Sequence, residues 1–332
     1  MKAKVRKKAV LRKKKFYDYK RDGVTQSLLI TWMTCRMRAK WFLEGWSSGK
    51  VRVALTFGTI VHGVLEHVYN LVRKKKITRI PNAKLISKIV KRVERQWLKE
   101  NPGVDSRALE DLDMCCLIAE ATLPEYFRFW WKKDSKEITW QRLEQKFSIP
   151  FVDKKGRKTL IRGKKDGVFG DDVLRLFETK TKSKINLSDL MDTLFFEFQV
   201  CLYLWAVKRT YKKTPKGVYY NIIRRSSLRK KKGESKLQFK NRIAEDVKKR
   251  PRFYFVRLKV AVTKKDMAVF ESEFENIITE YIDWCEGKLG TYKNTSACSN
   301  KYGKCSSLGL CSKQDFSSYK KRKVVFRELE DM

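Results

Sequence analysis

The chain has 332 residues, 77 of them Lys or Arg against 37 Asp or Glu, which gives a formal charge of +40, with 42% hydrophobic and 12% aromatic residues. That is enough apolar material to bury a sizeable core. The positive excess is far beyond the needs of solubility and points to a polyanionic partner, nucleic acid above all. There is no apolar run of about 18 residues, which a membrane-spanning helix needs. The stretch from Met1 to Lys15 has no apolar h-region or small-residue cleavage site, so a cytoplasmic rather than an exported protein is expected.

Residues 1–24 read as a basic arm. Helical periodicity starts near Thr25, where Leu28, Leu29, Trp32, Cys35, Trp41 and Phe42 share a broad face and predict one helix over 26–46. A second helix, about Thr56 to Lys74, aligns Ile60, Val64, Val68 and Leu71, and further helices are expected over 82–100 and 105–133. Residues 25–135 are thus a helical N-terminal part. From Glu137 the pattern turns to short apolar or alternating runs at 138–151, 159–163, 167–170 and 173–180, which read as a meandering sheet. A helix over 190–209 follows, then strands at 217–223 and 252–260 separated by a basic stretch, 224–250, read as an exposed insertion. An amphipathic helix over 263–287 ends a core of 136–287, and 288–332 is a Gly/Ser/Lys-rich, Cys-bearing tail. The order of elements indicates an α/β core with a helical addition.

The chemistry concentrates in Gly163-Lys164-Lys165-Asp166-Gly167-Val168 and in the run from Val173 to Lys180. A short turn would set these strands side by side, with Asp166 and Glu178 as hard oxygen ligands for Mg²⁺ or Mn²⁺ and Lys180 as an ammonium to orient water and offset phosphate charge. Strand alternation puts Glu178 and Lys180 on one face across the spacer Thr179. Acid-x-Lys recurs in Glu144-Gln145-Lys146, Asp246-Val247-Lys248 and Glu286-Gly287-Lys288. Only Glu178-Thr179-Lys180 ends a strongly apolar strand at hairpin distance from an Asp on another.

This strand pair resembles the RecB-type branch of the PD-(D/E)XK nuclease superfamily, and the resemblance extends along the chain. Gly58-Thr59-Ile60-Val61-His62-Gly63-Val64-Leu65-Glu66 is similar to the branch's helical G-x-x-x-H-x-x-L-E element, which implies His62 as a further metal ligand with Asp166, Glu178 and Thr179. His67 has no such match and is read as structural. Gln199-Val200-Cys201-Leu202-Tyr203 is similar to its Q-x-x-x-Y element, and residues four apart share a helix face, so Gln199 and Tyr203 can look toward the cleft. The resemblance implies a restriction-endonuclease-like fold, a mixed sheet flanked by helices. It also implies Asp166, Glu178, Lys180, Gln199 and Tyr203 as catalytic residues.

Of the eight cysteines, Cys115, Cys116, Cys201 and Cys285 lie in apolar helical segments and read as core residues. Cys298, Cys305 and Cys311, with six and then five residues between them, lie in a Gly/Ser-rich tail expected not to pack otherwise, and they need a fourth thiolate to close a tetrahedral zinc or an iron-sulfur cluster. The segment around Cys35 looks like the first-helix cysteine element of iron-sulfur nucleases such as the CRISPR-associated adaptation nucleases and AddB-type subunits. That likeness implies a 4Fe-4S cluster on Cys35, Cys298, Cys305 and Cys311. Arg36 stands where the family usually has proline and the late cysteines are widely spaced, so Zn²⁺ is the alternative.

The expectation is a metal-dependent DNA exonuclease of recombination, repair or phage DNA processing. It has no G-x-x-x-x-G-K-[ST] run of its own, so a helicase or recombination partner would have to supply unwinding. Basic stretches at 1–21, 224–250 and 320–323 would meet phosphates, and Trp130, Trp131, Tyr219, Tyr220, Phe253 and Tyr254 are candidates for base stacking. The competing readings are a non-catalytic basic nucleic-acid-binding protein with a zinc module, and an RNase or structure-specific endonuclease on the same metal site.

Overall fold

The computed structural model describes residues 15–48, 53–300, 303–312 and 315–330; residues 1–14 of the expected basic arm lie outside them. The chain divides into two compact units, one of residues 50–149 and 162–277, the other of 1–49, 150–161 and 278–332.

The first unit joins a helical layer to a mixed sheet. Helices α1 (Gln26–Thr34) and α2 (Arg36–Leu43) belong to the other unit; here α3 (Val53–Arg73) buries Ile60, Val64 and Val68 on one stripe. It packs on α4 (Ala83–Glu100) and α5 (Ser106–Glu137). Both of those start on side-chain caps, Asn82 accepting the Leu85 N–H at 2.8 Å and Asp105 the Ala108 N–H at 2.8 Å, which satisfies donors that a helix start otherwise leaves orphaned. The sheet contains β1 (Trp140–Val152), β2 (Lys158–Phe169), β3 (Arg175–Lys182), β4 (Gly217–Arg224) and β5 (Phe255–Ala261).

The two runs expected at 159–163 and 167–170 are one strand, β2. It pairs antiparallel with β3 (Gly167↔Phe177, Val168↔Leu176). The meander does not continue. Strand β4 runs parallel to β3 (Glu178↔Tyr220, Lys180↔Ile222), because the connection between them is a crossover through α6 (Leu187–Thr193), a 3₁₀ turn at Leu194–Phe196 and α7 (Phe198–Tyr211), as parallel neighbours require. Strand β5 closes the row antiparallel to β4.

The basic stretch 224–250 is not simply an exposed insertion. Its second half is α8 (Lys236–Lys249), opened by a full capping box between Ser235 and Gln238. Phe239, Ile243 and Val247, spaced four apart, are buried against α5, while Lys240 pairs with Glu120 of α5 at 2.9 Å and Lys248 and Lys249 are exposed. The sequence reading weighed the charge and passed over this stripe. Tyr219, Tyr220 and Tyr254 are likewise buried, whereas Phe253 is 41% exposed.

In the other unit the expected helix 26–46 is broken into α1 (Gln26–Thr34) and α2 (Arg36–Leu43) at Cys35, whose backbone is extended (φ −163°, ψ 109°). The tail packs by its own means, contrary to expectation: Lys320 and Lys321 pair with Ser47 and Trp46, and Val325, Phe326 and Leu329 are buried. Arg157 gathers Asp153, Asp283 and Glu286 at 2.6–2.8 Å. Among the described residues no single helix is long and apolar enough to cross a membrane.

Candidate active site and metal centre

Helix α3 brings His62 to the sheet. Gly58, one turn earlier, makes this approach possible, since a Cβ there would meet Thr181 Oγ1 of β3 at 3.3 Å. His62 Nδ1 lies 3.4 Å from Asp166 Oδ1 and 3.9 Å from Glu144 Oε1. His62, Glu144 and Asp166 each offer a ligand atom, and these atoms lie within 4.8 Å of one another. The trio has the N/O character that suits a hard or borderline divalent cation.

Asp166 lies within β2 rather than at its end. Its Oδ2 accepts the Thr179 N–H at 2.7 Å, so the pair meets across strands β2 and β3 through backbone. The Thr179 side chain is turned inward, accepting from Asn221 Nδ2 at 3.4 Å. On β3, Lys180 Nζ donates to Glu178 Oε1 at 2.7 Å and to Gln199 Oε1 of α7 at 2.6 Å. Tyr203 lies one turn further along α7, hydrogen-bonded to Gln199 and edge-on to Phe147 at 6.0 Å between ring centroids. His62, Asp166, Glu178, Lys180, Gln199 and Tyr203 therefore converge; Thr179 contributes its N–H.

Glu144 is the residue the sequence reading missed. Its acid-x-Lys setting in β1 was set aside as coincidence, yet its carboxylate joins His62 and Asp166 and also takes Lys164 Nζ at 2.6 Å. Its backbone sits at φ +47°, in the left-handed region that non-glycine residues rarely adopt. No sequence pattern announces that reversal.

The electrostatics are those of crowded carboxylates. Burial raises the Glu178 carboxyl above its ordinary range, and the negative charge of Asp166 adds to this, against the pull of Lys180. Burial would raise Asp166 too, but His62, Lys180 and the Thr179 N–H hold it below the usual range. Burial lowers His62, yet Asp166 and Glu144 outweigh it and bring the imidazole up to about 10. Glu178 Oε2 is buried and has no hydrogen-bond partner among the described residues. An uncompensated buried carboxylate oxygen is costly; beside a carboxylate-imidazole trio it is a ligand atom available to a cation. The donor set fits Mg²⁺ or Mn²⁺.

The cysteine set lies in the other unit, and all four are free thiols. Asn294 links two of them, its backbone N–H donating to Cys35 Sγ at 3.4 Å and its carbonyl accepting from Cys298 Sγ at 3.7 Å. The Trp41 indole N–H donates to Cys311 Sγ at 3.1 Å, and the Cys305 N–H to the Cys298 carbonyl at 2.9 Å. Burial raises the Cys311 thiol, Trp41 lowers it, and neighbouring Cys305 and Cys35 raise it further. Among the described residues no three of these sulfurs lie within 4.8 Å of one another.

Residues 24–311 match the family model of the PD-(D/E)XK nuclease superfamily. The chain belongs to that superfamily. Its fold is also similar to a crystal structure described as a candidate exonuclease from Eubacterium rectale, at 11% identity and a TM-score of 0.48, over 81% of this chain and 83% of the other. Curated proteins give no match. Membership of that superfamily, together with the mixed sheet and the candidate metal-ligand trio, supports nuclease activity.

Proposed function

We propose that this nuclease is a DNA exonuclease of the RecB-type branch, dependent on Mg²⁺ or Mn²⁺. The observation that carries the reading is the meeting of the His62–Glu144–Asp166 trio with the unpartnered oxygen of Glu178 and the ammonium of Lys180. A divalent cation held by these groups supplies the charge neutralisation that an attacked phosphodiester needs. Lys180 has three N–H donors and gives two to Glu178 and Gln199, so one remains for a water or a phosphate oxygen. Asp166 and Glu178, crowded together in a buried setting, gain most from the positive charge of such a cation. Gln199 and Tyr203 hold Lys180 in place from α7. The exonuclease and DNA assignments rest on the resemblance in His62, Gln199 and Tyr203 and on the +40 charge.

Cys35, Cys298, Cys305 and Cys311 fit a structural 4Fe-4S cluster. The N–H donors aimed at Cys35 and Cys311 are the hydrogen bonds that iron-sulfur thiolates use. The cysteines stay reduced in an intracellular setting, where a helicase or recombination protein, of cellular or phage origin, would supply opened ends. Digestion of linear duplex against the same DNA as a closed circle tests the exonuclease assignment. Mg²⁺-dependent loss of the linear form alone supports it, and equal cutting of the circle overturns it. Iron and sulfide content with visible absorbance after anaerobic purification, lost in Cys35→Ser, tests the cluster; zinc in their place contradicts it.

A further inference from the structure

The crossover from β3 to α7 is rooted at the active site at both of its ends. Lys180 starts it, Gln199 finishes it, and the two side chains are 2.6 Å apart. What lies between carries a stripe that the protein does not cover. Leu187, Leu190, Met191 and Leu194 fall at helical spacing along α6, which ordinarily marks a face packed on a core. Only Leu194 is buried; Leu187 is 44% and Met191 66% exposed. The stripe continues into Phe195 and Phe196, 47% and 59% exposed, their rings set edge to face at 4.7 Å. Cys201 Sγ fixes this turn by donating to the Phe195 carbonyl at 3.4 Å. Two residues separate Phe196 from Gln199, so their Cα atoms stand within roughly 11 Å of each other.

We propose that α6 with Phe195 and Phe196 is an apolar wedge that unstacks the terminal base pairs of a DNA duplex next to the metal site. This deepens the nuclease reading and rests on it. Apolar Phe, Leu and Met side chains are those that proteins insert between base steps, and aromatic faces stack on any base without sequence preference. The charges around the stripe sort the two parts of a nucleotide. Lys180, Lys182 and Lys184 come where the segment leaves β3, with Lys180 at the metal site, whereas the exposed Asp189 and Asp192 lie within the segment and disfavour the phosphate backbone there. Bases are left as the component that fits. A wedge at this position delivers a single strand to the metal site.

The test is the fluorescence of a 2-aminopurine at the end of a blunt duplex, with Ca²⁺ in place of Mg²⁺. The wild type should raise it about twofold or more, and Phe195→Ala/Phe196→Ala should abolish the rise while binding the duplex within about threefold of wild type. In Mg²⁺, the same variant should digest blunt duplex at least tenfold more slowly and a duplex with frayed ends at the wild-type rate, within about twofold. A wild type that leaves the terminal bases stacked overturns the wedge, and so does a variant equally impaired on blunt and frayed ends. Loss of a wild-type dimer, or of vesicle capture, in the variant would assign the stripe to a second copy or a bilayer and also overturn it. Base opening without hydrolysis of any substrate would leave the wedge standing and refute the nuclease reading.

Discussion

Glu144 holds a left-handed backbone conformation in the middle of a strand, at a cost of order 1–2 kcal/mol that the fold must offset elsewhere. The conformation carries its carboxylate to His62 and Asp166. Glu144→Gly, which relieves the strain, should therefore melt higher than Glu144→Ala, which keeps it, while both cut Mg²⁺-dependent hydrolysis by about a hundredfold or more. Melting and hydrolysis measured on one preparation check both signs, and retained activity would remove Glu144 from the site. Asp166, Glu178 and Lys180 were legible because strand alternation dictates their faces. Glu144 was not, because acid-x-Lys is common in so charged a chain and a single φ reversal leaves no pattern.

His62 adds a pH dependence. Its folded-state pKa is raised to about 10, so in the metal-free protein it contributes stability that is fully present below its unfolded value near 6.5 and is lost as pH rises through about 10. A metal ligand must be the neutral imidazole. Cation binding then releases protons, and apparent Mn²⁺ affinity should climb with pH by up to about tenfold per unit for each proton released. Calorimetry in two buffers of different ionisation enthalpy counts those protons. Affinity that is flat between pH 6.5 and 9 would contradict His62 as a ligand.

At the scale of elements, the sheet and the helical layer are tied by Arg257 on β5. Its guanidinium is buried, pairs with Asp134 of α5, donates to Tyr126 Oη at 3.1 Å and to Asn221 Oδ1 at 3.3 Å, and stacks 4.1 Å from the Trp130 ring. Arg257→Met keeps the packing volume but leaves Asp134 unpaired in a setting where burial, its largest influence, already raises its carboxyl. A loss of about 3–5 kcal/mol is expected by denaturant titration. The double variant Arg257→Met/Asp134→Leu should recover much of it. Equal stability of wild type and Arg257→Met would show the pair to be dispensable.

The elements themselves were legible where apolar spacing is regular, as in α3 to α5. Two were misread for physical reasons. The periodicity across Cys35 continues on both sides of a backbone break, because the break is set by a thiol accepting the N–H of Asn294, far away in sequence. The apolar stripe of α8 is only Phe239, Ile243 and Val247 among many cations, so composition outweighed spacing. The crossover that makes β3 and β4 parallel has the same origin: α6 and its turn leave their apolar residues uncovered, and one long helix was the simpler reading.

For the whole molecule, the net charge of +40 and the metal site make separable contributions. Phosphate contacts from many Lys and Arg residues bind nucleic acid with an affinity that falls by about 0.9 log units per log unit of salt for each contact. The buried site adds little to that binding. Removing one carboxylate should leave the salt-dependent affinity almost untouched and abolish the chemistry. Asp166→Ala, which takes away the acid shared by His62 and the Thr179 N–H, separates the two. The deciding measurement is the rate of DNA hydrolysis against Mg²⁺ or Mn²⁺ concentration for wild type and Asp166→Ala, with binding of the same DNA followed in parallel. Saturable, metal-dependent hydrolysis by wild type, lost in the variant at unchanged DNA affinity, is predicted; hydrolysis that persists in Asp166→Ala, or a wild type that binds DNA and never cuts it, would contradict the account.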